Sequence, residues 1–236
     1  MRVVRGEAEM DTTTHQDEVD DDGPAPDPRE MHALMEEQRR VAVDAQTSFV
    51  WVMEICWGAA WLLGYTALWL IDGSEAVSLP LPVAVGIFAG LILASSIVSV
   101  VLGVRGSAGI ATTGEGRWQG RVYGISWSVA MVSVYVLGIG LAFNDAPSRL
   151  LSIYFTSGFS FVAGLMLLST AALFHSRSSL LLGSILVVAA LAAPFAGYPG
   201  NYLAMAVLGG GAYLVTGITA AVLAARARRS LRARLA

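Results

Sequence analysis

Long apolar runs, separated by short polar interruptions, follow one another along most of this chain after a polar start. Residues 49–71, 79–104, 122–143, 150–174, 179–196 and 202–225 are almost wholly apolar. A helix needs about 20 apolar residues to cross a ~30 Å hydrocarbon core, and all six runs meet that length, 179–196 only narrowly. A closed barrel would instead use strands of about 10 residues with alternating polarity, which these continuous runs lack. The pattern predicts an all-α integral membrane protein with a bundle of six transmembrane helices. Residues 178–225 contain no charged side chain. The turn Gly197-Tyr198-Pro199-Gly200-Asn201 divides them into the fifth and sixth spans. Pro80 and Pro82 open the second span, and Pro194 is expected to kink or break the fifth.

Ahead of the spans, residues 27–47 predict an amphipathic cytoplasmic helix. Asp27 suits the N-cap, Pro28 the first helical position, and Glu30 follows three residues after the cap. Met31, Leu34, Met35, Val41, Ala42 and Ala45 fall on one face at helical spacing, with Glu36 and Arg40 as an i,i+4 pair elsewhere. Residues 1–26 read as an acidic disordered leader, because they hold too little apolar surface to offset the entropy of ordering. Residues 226–236 read as a basic cytoplasmic tail. No secretory signal precedes the first apolar run, which is expected to act as an uncleaved anchor.

Composition sharpens this picture. The chain has 236 residues, 55% hydrophobic and 14% charged, with mean hydropathy +0.62. A soluble domain carries about 25% charge. Residues 1–48 hold 13 of the 18 acids and 5 of the 15 arginines, while 49–236 hold 5 acids and 10 arginines. A soluble globular protein, a disulfide-stapled module and a disordered chain are excluded. Cys56 is the single cysteine, so no intrachain disulfide forms. Every basic residue is arginine. Twelve of them flank the first span, follow the second and fourth, or lie in the C-terminus, whereas the opposite loops hold only Arg149. The positive-inside rule therefore predicts that both termini are cytoplasmic. Trp51 and Trp69 bracket the first span as interfacial anchors.

Glu54 is the one acid inside a predicted span, and it is the candidate intramembrane polar site. One reading is a proton or cation relay facing a cavity; the other is an interfacial carboxylate that snorkels or pairs with Arg121. Trp57, Trp61, Tyr65 and Trp69 repeat every four residues, either as packing or as a wall for a cationic ligand. Gly86 and Gly90, with Ala94, make a small-residue face on the second span that suits close helix association, including self-association. Ser152, Thr156, Ser160 and Gly164 share one face of the fourth span, either as interhelical hydrogen bonds or as a polar path. The glycine-rich loop 105–121 lacks the Gly-Lys-Ser/Thr ending of a phosphate-binding loop. No catalytic, metal or cofactor constellation is found, so neither an enzyme nor a cofactor is expected.

Three segments carry a family resemblance: Glu36-Glu37-Gln38-Arg39-Arg40, Trp57-Gly58-Ala59-Ala60-Trp61-Leu62-Leu63-Gly64-Tyr65, and Gln119-Gly120-Arg121-Val122-Tyr123-Gly124-Ile125-Ser126-Trp127. They resemble an uncharacterised group of actinobacterial six-span membrane proteins that genome annotation often calls transporters. The resemblance covers about residues 28–225 and implies a bacterial plasma-membrane location without assigning any site residue. The expected function is transport-associated, as a small carrier or a permease subunit. The alternative is a non-transporting scaffold or regulator. Expected partners are the lipid bilayer and a soluble cytoplasmic protein, which for a permease would be a separate ATPase subunit. No nucleic acid is expected.

Overall fold

A computed structural model describes residues 27–107 and 114–235. The chain divides into two units, Met1–Arg40 and Val41–Ala236. The predicted acidic leader lies outside the described residues. The helices are α1 (Pro28–Trp69), α2 (Leu81–Ser107), α3 (Gly114–Phe143), α4 (Ser148–Phe174) and α5 (Arg177–Ala192). A 3-10 turn (Ala193–Ala196), α6 (Gly200–Met205), a π-helical segment (Ala206–Gly210) and α7 (Gly211–Leu235) complete the order.

In the first unit the start of α1 is built as the sequence predicts. The Asp27 carboxylate accepts from the Arg29 N–H at 3.0 Å, and its carbonyl accepts from Glu30 and Met31. Met31, Leu34 and Met35 are exposed. The side chains of Glu36, Arg40, Val41, Ala42 and Ala45 lie outside the described residues. The sequence predicts one helix over 27–47 and a second from 49. The assigned helix instead runs from Pro28 to Trp69, because no glycine or proline interrupts residues 29–57.

Within the second unit, five helical stretches are long and apolar enough to cross a membrane: Leu81–Arg105, Gly116–Phe143, Ser148–Phe174, Arg177–Ala196 and Gly200–Arg226. The sixth expected span, 49–71, coincides with the C-terminal part of α1. Its tryptophans, glycines, Tyr65, Thr66 and Glu54 make it less apolar than the other five. Large apolar side chains crowd the outside: Val100, Leu137 and Val188 are each more than 60% exposed. Patches of this extent are tolerated in hydrocarbon and not in water. The protein is a multi-span helical membrane protein.

The helix limits shift where local chemistry dictates. Helices α2 and α3 extend into the predicted glycine-rich loop, leaving only 108–113 outside the described residues. Pro194 ends α5, and the last turn before Gly197 tightens to 3-10 geometry. Helix α7 continues through the expected basic tail to Leu235. Ser176 caps α5 by accepting from the Ser179 N–H at 3.2 Å.

Packing is closest where glycines meet. A Cβ on Gly183 of α5 would lie 2.8 Å from the Gly164 carbonyl oxygen and 2.9 Å from the Leu168 nitrogen of α4. Helices α1 and α7 touch in the same way: a Cβ on Gly58 would lie 2.8 Å from the Leu214 nitrogen, and one on Gly210 2.7 Å from the Leu62 nitrogen. Helix α2 lies against α1, where Trp57 Nε1 donates to Ser99 Oγ at 2.9 Å and Ser95 Oγ donates to the Cys56 carbonyl at 3.2 Å. Helix α3 lies against α4, where the Tyr154 hydroxyl donates to the Val134 carbonyl at 2.9 Å and Tyr123 bonds Thr170. The buried core forms between α1, α4, α5 and the last span, around Trp61, Tyr65, Leu182, Leu186 and Met205.

Candidate functional site

Helical spacing puts Glu54, Trp61 and Tyr65 on one side of α1, because steps of seven and four return to the same face. The same rule aligns Thr156, Ser160 and Gly164 on α4. These two faces meet the last span, and the polar groups they carry become buried together. Glu54, Thr156, Ser160 and Asn201 are all buried, Glu54 at 7% exposure and Asn201 at 0%.

Glu54 sits where α1 approaches α7. A Cβ on Gly217 would lie 3.0 Å from Glu54 Cβ and 3.0 Å from the Ile55 nitrogen, so the helices are in backbone contact beside the carboxyl group. Thr216 and Tyr213 of α7 are the neighbouring polar side chains that act electrostatically on the carboxyl. Glu54 Oε2 is buried without a hydrogen-bond partner. Arg121 is exposed, and the ion pair considered from sequence is not seen among the described residues. Glu54 therefore does not snorkel; it is enclosed by α1 and α7.

The aromatic stripe resolves into two roles. Trp61 and Tyr65 are buried, packed edge-on at 5.6 Å, and Trp61 also meets Tyr213 at 5.4 Å. Trp57 and Trp69 are half-buried, with Trp57 held by Ser99 and Trp69 folded over Gly73. Trp51, the expected anchor at the other end, has an indole N–H that is buried without a partner. The π-helical segment explains how Trp61 fits. Its Gly209 carries no side chain where the indole lies, and a Cβ there would come within 2.7 Å of the ring. Such π segments recur at functional positions in helices.

Further along the same interior, the Tyr65 phenol lies beside Ser160. Ser160 Oγ donates to the Thr156 carbonyl at 2.7 Å, and Asn201 Nδ2 donates to Thr156 Oγ1 at 3.4 Å. Asn201 Oδ1 has no partner. The sequence places Asn201 in an outward turn. In the structure it belongs to the first turn of α6, its N–H donating to the Gly197 carbonyl at 2.6 Å, and its side chain is fully buried. The helix restarts at Gly200, so this side chain turns inward. Tyr65 stacks on Tyr202 at 6.4 Å, and Tyr202 lies beside Ser152. Thus the α4 hydroxyl face meets polar partners on α1 and α6.

At the end of the bundle where short connections gather, Tyr198 links three of them. Its hydroxyl donates to Asp72 Oδ2 at 2.5 Å, its ring meets Tyr202 at 6.0 Å, and the Arg149 guanidinium lies 5.9 Å over it. Burial and the neighbouring Asp72 carboxylate push the Tyr198 phenol up to about 12. Asp72, Tyr198, Tyr202, Tyr213 and Thr216 were not singled out from sequence. Tyr198 and Tyr202 stand four apart, and Tyr213 stands eleven further on, three helical turns away. That spacing is the signal available before the structure.

Gly86 and Gly90, expected to suit close association within the chain or between copies, pack on no described helix of this chain. A Cβ at either would meet nothing within 4 Å, so this face of α2 takes no part in packing inside the chain. No family model, curated protein or solved structure matches this chain.

Proposed function

We propose that this protein is a small membrane carrier, with Glu54 as its intramembrane polar site. The observation that carries the reading is the buried Glu54 carboxyl, one oxygen of which lacks a partner inside an apolar helix bundle. Ionisable groups inside a span are costly, about 3 kcal/mol at its centre and less near its ends, where Glu54 stands, and are commonly retained for ion or substrate handling. The further buried groups, Thr156, Ser160 and Asn201, supply additional polar surface in the same interior. The carrier has six spans, the first formed by residues 49–71, of which 49–69 belong to α1, and the arginine distribution supports both termini in the cytoplasm. A bacterial plasma membrane and the actinobacterial six-span resemblance belong to the same reading.

The test is flux into liposomes containing the purified full chain, under imposed proton, sodium and rubidium gradients. Movement of any of these above protein-free vesicles, lost in Glu54→Gln, supports a carrier. Identical leak in both, with a soluble protein co-purifying in stoichiometric amount from the native host, supports the scaffold reading instead.

A further inference from the structure

The carrier reading leaves the moving species open, and the surroundings of Glu54 narrow it. Metal cations shed water only when several oxygen ligands replace it. Among the described residues, polar neighbours around Glu54 are Thr216 and Tyr213, both from α7. The single Thr216 hydroxyl proton is shared between the Ala212 and Tyr213 carbonyls, at 3.0 and 3.1 Å, and is directed to its own helix. Among the described residues, no cluster of three or more His, Cys, Asp or Glu side chains could hold a metal. An organic cation would need an open aromatic wall. Trp61, the nearest buried indole, already has Tyr65 and Tyr213 against its edges and Gly209 against its ring. The backbone contact at Gly217 closes the remaining side. A proton needs neither several ligands nor a cavity.

Phenols then continue from Glu54 towards the far end of the bundle. Tyr213, an electrostatic neighbour of Glu54, and Tyr65 pack against the same Trp61 ring, at 5.4 and 5.6 Å. Tyr65 stacks on Tyr202, Tyr202 meets Tyr198, and Tyr198 donates to Asp72. At the 1.5 Å rise, Glu54 and Tyr65 are about 16 Å apart along α1, so this column covers roughly half of a ~30 Å core.

Resting on the carrier reading, we propose that Glu54 binds and releases a proton, and that Tyr213, Tyr65, Tyr202 and Tyr198 conduct it between Glu54 and Asp72. On binding, an O–H bond forms at Glu54 Oε2 and the carboxylate becomes neutral; on release that bond breaks and the carboxylate returns. Along the column each phenol oxygen accepts one proton through a lone pair and passes its own onward. Where neighbouring hydroxyls do not meet, transfer requires a water admitted between them as the helix contacts open. One proton enters and one leaves, with no residue changed.

The test uses the full chain in phosphatidylcholine–phosphatidylglycerol liposomes loaded with potassium. Valinomycin sets an inside-negative potential, and a pH-sensitive dye reads proton uptake. Uptake well above protein-free vesicles is expected. It should fall to background in Glu54→Gln, fall at least tenfold in Tyr65→Phe and Tyr202→Phe, recover in part in Glu54→Asp, and stay unchanged in Gly86→Ala. Dicyclohexylcarbodiimide, which modifies protonated carboxyls in apolar surroundings, should label Glu54 of the unaltered protein and block uptake, a readout that does not depend on a variant folding. Glu54-dependent rubidium or sodium flux without proton uptake overturns the proton assignment and leaves the carrier standing. No Glu54-dependent movement of any of the three ions overturns both. Full uptake in Tyr65→Phe and Tyr202→Phe overturns the column.

Discussion

Substituting Gly183 separates two kinds of glycine that look alike in a membrane sequence. Gly183→Ala places a methyl group 2.8 Å from the Gly164 carbonyl oxygen and 2.9 Å from the Leu168 nitrogen, both backbone atoms. Neither can rotate away, so α4 and α5 must separate by about 0.6–0.8 Å to restore ordinary contact. A gap of 0.5–1 Å forfeits a quarter to a half of each contact's attraction. If on the order of 30 atom pairs along the crossing lose a third of ~0.15 kcal/mol each, the loss is about 1.5 kcal/mol. That agrees with the ~1–3 kcal/mol typical of overpacking and is about tenfold in an equilibrium. Gly86→Ala is the matched control. Its methyl meets nothing within 4 Å, and alanine is favoured over glycine in a helix by ~0.5–1 kcal/mol. The assay is thermal aggregation of detergent-solubilised protein, followed by size-exclusion chromatography with fluorescence detection. Gly183→Ala should melt several degrees below the unaltered protein, and Gly86→Ala at or above it. A Gly183→Ala protein as heat-resistant as the unaltered one would refute the backbone contact between α4 and α5.

Three further outcomes follow from individual contacts. Asn201→Ala removes the amide that donates to Thr156 and leaves a void in a fully buried position, so solubilised protein should lose ~1–3 kcal/mol, read by the same thermal assay; a neutral effect would mean that Asn201 is not held there. The Tyr198 phenol should ionise near pH 12 by difference absorbance against Tyr198→Phe, and Asp72→Asn should lower that midpoint towards 10. Because the folded protein holds this proton more tightly than the unfolded chain, stability from this group is complete below pH 10 and is lost as pH rises towards 12; stability rising over that interval would contradict the assignment. Cysteines introduced at positions 75 and 145 of a Cys56→Ser background should react with a membrane-impermeant maleimide on intact cells, and labelling only after the membrane is opened would reverse the proposed orientation.

The spans were legible because hydropathy is a local property, summed over residues adjacent in the chain. Five of the six expected spans correspond to helices of suitable length, and Pro194 sits where the fifth changes geometry. The first is ambiguous for the same reason that it is interesting, since α1 carries the aromatic and acidic residues that lower its hydropathy. Helix pairing is not local, and there the spacing of small residues does not name the partner. Gly86 and Gly90 display the spacing associated with close packing, yet face open space, while Gly164 and Gly183 meet backbone to backbone across 19 positions of sequence. Spacing identifies a smooth face and says nothing about which helix lies against it. Asn201 shows the same limit at a loop. Next to Pro199 and Gly200 its residue type suggests a solvated turn, and only the restart of helix at Gly200 turns its amide inward. The polar interior therefore depends on where one helix ends.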